Sequence, residues 1–163
     1  MTNAEVGFLM TAYAIGCLIL YIPGGILADK FSTKKMLVLS LFGTGVLGLV
    51  MAFSMNYVTA LIAFFLFAVT TSFVFWAALN KGLRIIGGKE DSGSTYGWYY
   101  ALGSVISLVC GFGFWALYAS TENSHDAMFR TILAMSVAVM VSGVLVQITF
   151  REDATALSQA SEE

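Results

Sequence analysis

The chain has 163 residues, of which 58% are hydrophobic and only 11% are charged, and its net charge is −2. An ordinary soluble domain is roughly 45–50% apolar and about 25% charged, so this composition cannot cover a water-soluble globule with charge. It favours a protein embedded in the lipid bilayer, and the small net charge gives no indication of nucleic-acid binding. The single proline favours long helices over many short strands.

Five apolar segments are each long enough to cross a membrane, because a helix needs about 20 mostly apolar residues to span ~30 Å of hydrocarbon. They cover residues 6–28, 35–55, 57–84, 95–118 and 129–150. None of them alternates apolar and polar residues as a strand of a membrane barrel would. We therefore predict an all-α membrane protein with five transmembrane helices, in which residues 1–150 form the bundle and residues 151–163 form a polar tail.

A short charged stretch separates the first two apolar segments and contains Asp29, Lys30, Lys34 and Lys35. These charges cannot stay in hydrocarbon, so we expect the chain to turn round there at the membrane surface. Directly before the charges lies Pro23-Gly24-Gly25, for which two interpretations remain open. It is either a bend near the helix end or a plain helix terminator, because proline removes a helix hydrogen bond and glycine allows close backbone approach.

The third segment carries the best ligand candidates, with Thr70, Thr71 and Ser72 near its midpoint. Ser72, Trp76 and Asn80 recur every four residues and would share one face of a helix. An amide at that depth is costly unless it faces protein or water, so we expect these three residues to face a cavity. The alternative is that the hydroxyl groups bond their own backbone and that Trp76 packs against other helices or anchors the span.

Tyr13 in the first segment and Tyr99 in the fourth are weaker candidates for the same cavity. An aromatic belt at the membrane interface explains the tyrosines of the fourth segment equally well. The middle of every segment lacks Asp, Glu, Lys and Arg. Cys17 and Cys110 lie in apolar segments and His125 lies in a polar loop, which gives no convincing metal-binding set and no catalytic set. We therefore predict no enzyme activity, no metal site and no cofactor.

The basic residues fall on one side of the membrane if the chain has five spans. Lysine and arginine concentrate in cytoplasmic loops. On that side lie Lys30, Lys34, Lys35, Lys81, Arg84, Lys89 and Arg151, and only Arg130 lies on the other side. We therefore predict a plasma-membrane protein, in bacteria an inner-membrane protein, with its N-terminus outside and its C-terminus in the cytoplasm.

Two stretches resemble parts of the major facilitator superfamily of transporters. The superfamily's signature loop, between its second and third helices, has a Gly, three residues, an Asp, a basic residue, one residue, a Gly and then a basic cluster. The residues that fit are Gly25, Asp29, Lys30, Lys34 and Lys35, whereas Ser32 replaces the second Gly. Residues 80–97 look like the fourth-helix exit and the following loop, nearest to the organic-anion and sugar-phosphate-like branches.

The resemblance implies that the five spans are helices two to six, a partial six-helix bundle of a larger transporter. The partners it implies are the missing first helix and second six-helix half, the lipid bilayer and a small-molecule substrate, with residues 151–163 beginning the cytoplasmic linker. It also implies a gating motif that consists of Gly25, Asp29, Lys30, Lys34, Lys35 and Arg84. The alternative for Asp29 is a solvated loop acid among lysines.

The function expected from these observations is that of a secondary transporter, of which this chain would be a fragment. It would move a small polar organic solute, such as a sugar, a sugar acid or an organic anion, by alternating access. The alternative is a non-transporting membrane scaffold or assembly subunit. A membrane enzyme has little support, because no catalytic set of residues lies at one depth.

Overall fold

The structure, a computed structural model, describes residues 3–54, 56–87 and 91–150, with the backbone alone described at residues 27–30, 85 and 92. The helices are α1 (Asn3–Lys30), α2 (Thr33–Phe53), α3 (Tyr57–Ala68), α4 (Ala77–Gly87), α5 (Ser92–Ala119) and α6 (Ser124–Thr149). A π-helical segment, Val69–Trp76, joins α3 to α4, so Tyr57–Arg84 forms one continuous span. Within the described ranges five helical stretches are long and apolar enough to cross a membrane, which confirms the predicted fold class.

Side-chain caps explain where several helices begin. Ser32 precedes α2 and its hydroxyl accepts a hydrogen bond from the Lys35 amide at 3.4 Å. Asn123 precedes α6 and its side-chain oxygen accepts a bond from the His125 amide at 3.1 Å. Polar caps satisfy amides that the first helical turn leaves unpaired. Consequently α2 and α6 begin at Thr33 and Ser124, before the apolar segments from which we predicted them.

The first helix continues through Pro23 as a regular α-helix and ends at Lys30. The interpretation of Pro23-Gly24-Gly25 as a helix terminator is therefore wrong. A Cβ atom placed on Gly24 would lie 2.6 Å from the carbonyl oxygen of Phe73, whereas one on Gly25 would meet nothing within 4 Å. Close packing of α1 on the π segment at Gly24 thus supports the helix beyond the hydrogen bond that proline removes.

Helices α2 and α6 form the most closely packed pair of the bundle. A Cβ atom on Gly48 would overlap the side chain of Ser136, and one on Gly143 would lie 3.1 Å from the ring of Phe42. Small residues are favoured at such contacts because, in lipid, association depends on close van der Waals packing. The α2–α6 pair therefore forms one wall of the bundle.

The remaining contacts place the π segment between α1 and α2. Helix α1 packs along α3 and the π segment, and α2 contacts the π segment from another side. Helix α5 contacts only α4 and α6 substantially among the described elements, and none of its most apolar 18-residue stretch is buried, against 33% for α2. The polar residues of the π segment therefore lie between two helices inside the membrane-spanning region.

Candidate functional site

The sequence of the π segment disfavours a regular α-helix. Four of its eight residues are β-branched, namely Val69, Thr70, Thr71 and Val74, and three are aromatic. Both kinds of side chain crowd the preceding turn of an α-helix, and threonine hydroxyls offer backbone groups an alternative partner. Turns of π-helix inside α-helices occur frequently at functional sites.

Five hydroxyl groups meet at the π segment and are here called the hydroxyl cluster: Tyr13 of α1, Ser40 and Thr44 of α2, and Thr70 and Thr71. Tyr13 Oη lies 3.0 Å from Thr71 Oγ1. Thr44 donates to the Thr70 hydroxyl at 2.9 Å, and Ser40 donates to the Thr70 backbone carbonyl at 2.8 Å. The cluster thus ties three spans together at the depth of the π segment.

The proton of each hydroxyl in the cluster can be assigned from its partners. Thr70 and Thr71 both donate to the carbonyl oxygen of Phe67, at 3.3 Å and 2.6 Å. A hydroxyl has one proton to give, so Thr71 must accept from Tyr13. Two short chains of hydrogen bonds therefore end at the Phe67 carbonyl, one from Thr44 through Thr70 and one from Tyr13 through Thr71. Tyr13 is the first donor of the second chain. An oxygen atom of a ligand can take the Tyr13 proton while Thr71 keeps its bond to Phe67.

The structure brings the predicted ligand residues together only in part. Tyr13 is half-buried and joins Thr71 in the hydroxyl cluster. Ser72 lies in the π segment and is buried, with 6% of its surface exposed. Trp76 ends the segment, is half-buried, and packs edge-to-face on Phe75 with ring centroids 6.1 Å apart. The ligand role of each of these residues stays a prediction.

Asn80 and Tyr99 lie outside the cluster. Asn80 is half-buried in α4, and its backbone carbonyl accepts a hydrogen bond from the Tyr96 hydroxyl at 3.1 Å. Tyr99 lies on α5, half-buried, with its ring 5.3 Å from that of Tyr100. The spacing of four that aligned Ser72 with Asn80 assumes a regular α-helix, and the π turns between them change that alignment.

Sequence reasoning missed Ser40, Thr44 and the Phe67 carbonyl as members of the site. Ser40 and Thr44 stand four residues apart in an otherwise apolar span, which places them on one helix face. Polar residues repeated on one face of a transmembrane helix often bond a neighbouring helix. That pattern was the available signal for the two side chains, whereas no pattern in the sequence points to a particular backbone carbonyl.

The predicted gating motif lies where α1 meets α2 and α4. Lys81 Nζ donates to the backbone carbonyl of Phe31 at 3.3 Å, just beyond the C-terminal end of α1. A cation there interacts favourably with the negative end of the helix dipole. A Cβ on Gly82 would lie 3.3 Å from the methyl group of buried Thr33, so α4 packs directly on the start of α2.

The gating residues themselves are described unevenly. Gly25, Lys35 and Arg84 are exposed, and Lys34 is half-buried in the first turn of α2. The side chains of residues 29 and 30, the aspartate and the first lysine of the motif, lie outside the described residues. The gating role of Gly25, Asp29, Lys30, Lys34, Lys35 and Arg84 therefore stays a prediction.

Comparison with known proteins indicates the same family as the signature residues. The sequence profile of the Major Facilitator Superfamily matches residues 1–163. The chain is similar to inner membrane protein YqcE of Escherichia coli strain K12, with 30% identity over 145 residues, which cover 88% of this chain and 34% of that protein. It is similar to inner membrane protein YihN of the same strain, with 23% identity over 146 residues, 90% of this chain and 35% of that one.

A third relative is an uncharacterized protein of Mycoplasma pneumoniae, 50% identical over 43 residues, which cover 26% of this chain and 33% of that protein. The chain spans about a third of the length of the two inner membrane proteins that it matches. No solved structure is significantly similar to it.

Proposed function

The chain belongs to the Major Facilitator Superfamily, and on that premise we propose that it is part of a secondary transporter for a small polar organic solute. The hydroxyl cluster is the single observation that carries this proposal. It places the donor Tyr13 and the acceptor-donor Thr71 3.0 Å apart, inside an integral membrane protein of the plasma membrane. Polar side chains at such a depth are costly unless they bond one another or a solute.

The chemistry of the cluster suits sugars, sugar acids and other organic anions. A sugar hydroxyl or a carboxylate oxygen can accept the proton that Tyr13 gives to Thr71, and a sugar hydroxyl can in turn donate. The five hydroxyls carry no formal charge, and Asp, Glu, Lys and Arg are absent from the middle of each span. The cluster would therefore bring no charged group to the solute, and its hydrogen bonds could form and break during transport without moving a buried charge of the protein.

Transport would proceed by alternating access, with this chain supplying helices two to six. The remaining helices would form the other side of the cavity and carry the partners of the gating motif. The concentration of basic residues supports a junction of α1, α2 and α4 at the cytoplasmic surface, with the N-terminus outside and the C-terminus in the cytoplasm. Solute released from the cluster would leave past this junction when it opens.

Uptake of labelled solutes by cells that express the complete transporter tests the proposal, using a panel of sugars, sugar acids and organic anions. Tyr13→Phe should raise KM about fivefold, because one hydrogen bond to the solute, about 1 kcal/mol, is lost. Tyr21→Phe is the matched control on the same helix, since Tyr21 is 58% exposed. Unchanged uptake by Tyr13→Phe would exclude Tyr13 as a contact, and no uptake of any solute by the parent would favour the scaffold alternative.

The gating role of Asp29 has its own test. Asp29→Asn in the complete transporter should abolish uptake while leaving solute binding within about threefold, because the gate acts on opening rather than on affinity. Binding is measured by thermal shift of the purified protein and uptake by initial rate. Full uptake by this variant would show that Asp29 is a solvated loop acid.

A further inference from the structure

We propose that Val69–Trp76 is a register switch, in which the π form seen here exchanges with an α-helical form and the hydroxyl cluster stabilises the π form. The proposed function concerns where a solute binds. This inference concerns how events at the cluster reach the cytoplasmic end of the protein.

The π segment is a structure whose stability depends on its surroundings. Runs of π-helix are rare and occur mostly as single turns inside α-helices, whereas this one covers eight residues. Thr44 donates a hydrogen bond to the Thr70 hydroxyl and Ser40 donates one to the Thr70 carbonyl. Tyr13 donates one to the Thr71 hydroxyl. All three come from neighbouring helices, so their loss would remove stabilisation that the segment does not supply itself.

Besides the three hydroxyl donors, the neighbouring helices present glycine backbone to this span at three positions. A Cβ on Gly16 would lie 2.7 Å from that of Ala68, one on Gly24 would lie 2.6 Å from the Phe73 carbonyl oxygen, and one on Gly43 would lie 3.0 Å from the Thr70 methyl. Glycine offers no side chain that interlocks with the segment. At these three positions no side chain of a neighbouring helix has to be displaced when the segment shifts.

A shift of one residue has a defined consequence for α4. A π turn holds about one residue more than an α turn. Since an α-helix has 3.6 residues per turn and rises 1.5 Å per residue, taking up that one residue into α-helical turns rotates everything beyond the segment by about 100° and moves it by ~1.5 Å. Helix α4 carries Lys81, which donates to the Phe31 carbonyl, and Asn80, whose carbonyl accepts from Tyr96. A rotation of this size breaks both contacts, so the cluster controls the junction of α1, α2 and α4.

A solute that takes the Tyr13 proton removes one of the bonds that stabilise the π form. Solute binding would then favour the α form and release the cytoplasmic ends of α1 and α5 from α4. This link to a solute rests on the proposed function, whereas the exchange between π and α forms does not.

Distances between spin labels on the complete protein in lipid nanodiscs test the switch without any solute. Cys17 is replaced by serine, which keeps a hydrogen-bonding group beside Tyr13, and Cys110 by alanine. Labels are placed at Ile86 on α4 and Ile148 on α6, which are 66% and 73% exposed. A reference pair joins Val58 on α3, which precedes the segment, to Met128 on α6 and reports on the rest of the bundle. A label about 5–6 Å from the helix axis moves by about 8 Å when the helix turns by 100°.

Thr70→Val and Tyr13→Phe should each create a new Ile86–Ile148 distance population displaced by several ångström, with the Val58–Met128 distance unchanged. Thr131→Val is the matched control, because Thr131 donates to the Ala127 carbonyl of its own helix, as Thr70 does to the Phe67 carbonyl. It should match the parent at both pairs. If Thr70→Val does not fold, Tyr13→Phe decides the question.

Parental distances at both pairs in the cluster variants would overturn the switch. A shift at both pairs, or an equal shift in Thr131→Val, would also overturn it, because the change would then be a general loosening of the bundle. A shift confined to Ile86–Ile148 in a protein that transports no solute would support the switch and contradict the proposed function. The experiment therefore distinguishes failure of the switch from failure of the proposed function.

Discussion

Two sides of α2 contact their neighbours through different chemistry. Toward α6, Gly48 packs against Ser136 so closely that a single added carbon would overlap it. Toward the π segment, Ser40 and Thr44 donate hydrogen bonds to Thr70 at 2.8 and 2.9 Å. Close packing allows one arrangement, whereas a hydrogen bond can exchange its partner for a solute or water. We therefore expect the α2–α6 side to act as scaffold in the proposed switch and the side facing the π segment to change.

The largest expected effect is on the scaffold side. Gly48→Val places side-chain atoms where the Ser136 hydroxyl lies, and that hydroxyl donates to the Ile132 carbonyl at 2.8 Å. Overpacking should cost about 3 kcal/mol and lower the apparent melting temperature measured by tryptophan fluorescence in detergent. Gly113→Val is the control, because a Cβ there meets nothing within 4 Å. Equal destabilisation by both changes would show that the α2–α6 contact is not specially tight.

A smaller effect is expected where α1 packs on the π segment. Gly24→Ala forces a carbon against the backbone of Phe73, which cannot yield by rotating a side chain, and should cost about 2 kcal/mol. Gly25→Ala is the adjacent control and should stabilise the helix by up to about 1 kcal/mol, because alanine has the higher helix propensity. The same melting experiment compares them. A larger loss for Gly25→Ala would reverse the assignment of the contact.

The smallest effect should come from removing one hydrogen bond of the hydroxyl cluster. Ser40→Ala removes a bond to the Thr70 carbonyl and should cost about 0.6 kcal/mol, the mean for polar contacts between transmembrane helices. Ser142→Ala is the control, since that hydroxyl donates only to the Ala138 carbonyl of its own helix. A cost above about 2 kcal/mol would place the π-facing side of α2 in the scaffold and remove the contrast between the two sides.

The site was less predictable than the spans because its members are far apart along the chain. Tyr13 and Thr71 both stood out in the sequence as polar groups in apolar runs, but their contact joins residues 58 positions apart. Gly25 stood out through its resemblance to a family signature, whereas the tight contact belongs to Gly24. One residue along a helix changes the facing direction by about 100°, so only the docking of α1 on the π segment separates these two glycines.

The sequence alone determined the five spans and the all-α fold class, because a run of about 20 apolar residues must satisfy its backbone within itself in lipid. Its signature residues also indicated the family. Only the tertiary structure decided that α1 continues past Pro23, that Val69–Trp76 is π-helical, and that five hydroxyls converge beside Phe67. In each case atoms of another helix supply packing or a hydrogen bond that the local sequence lacks, and in the π segment they add to the local crowding by β-branched and aromatic side chains.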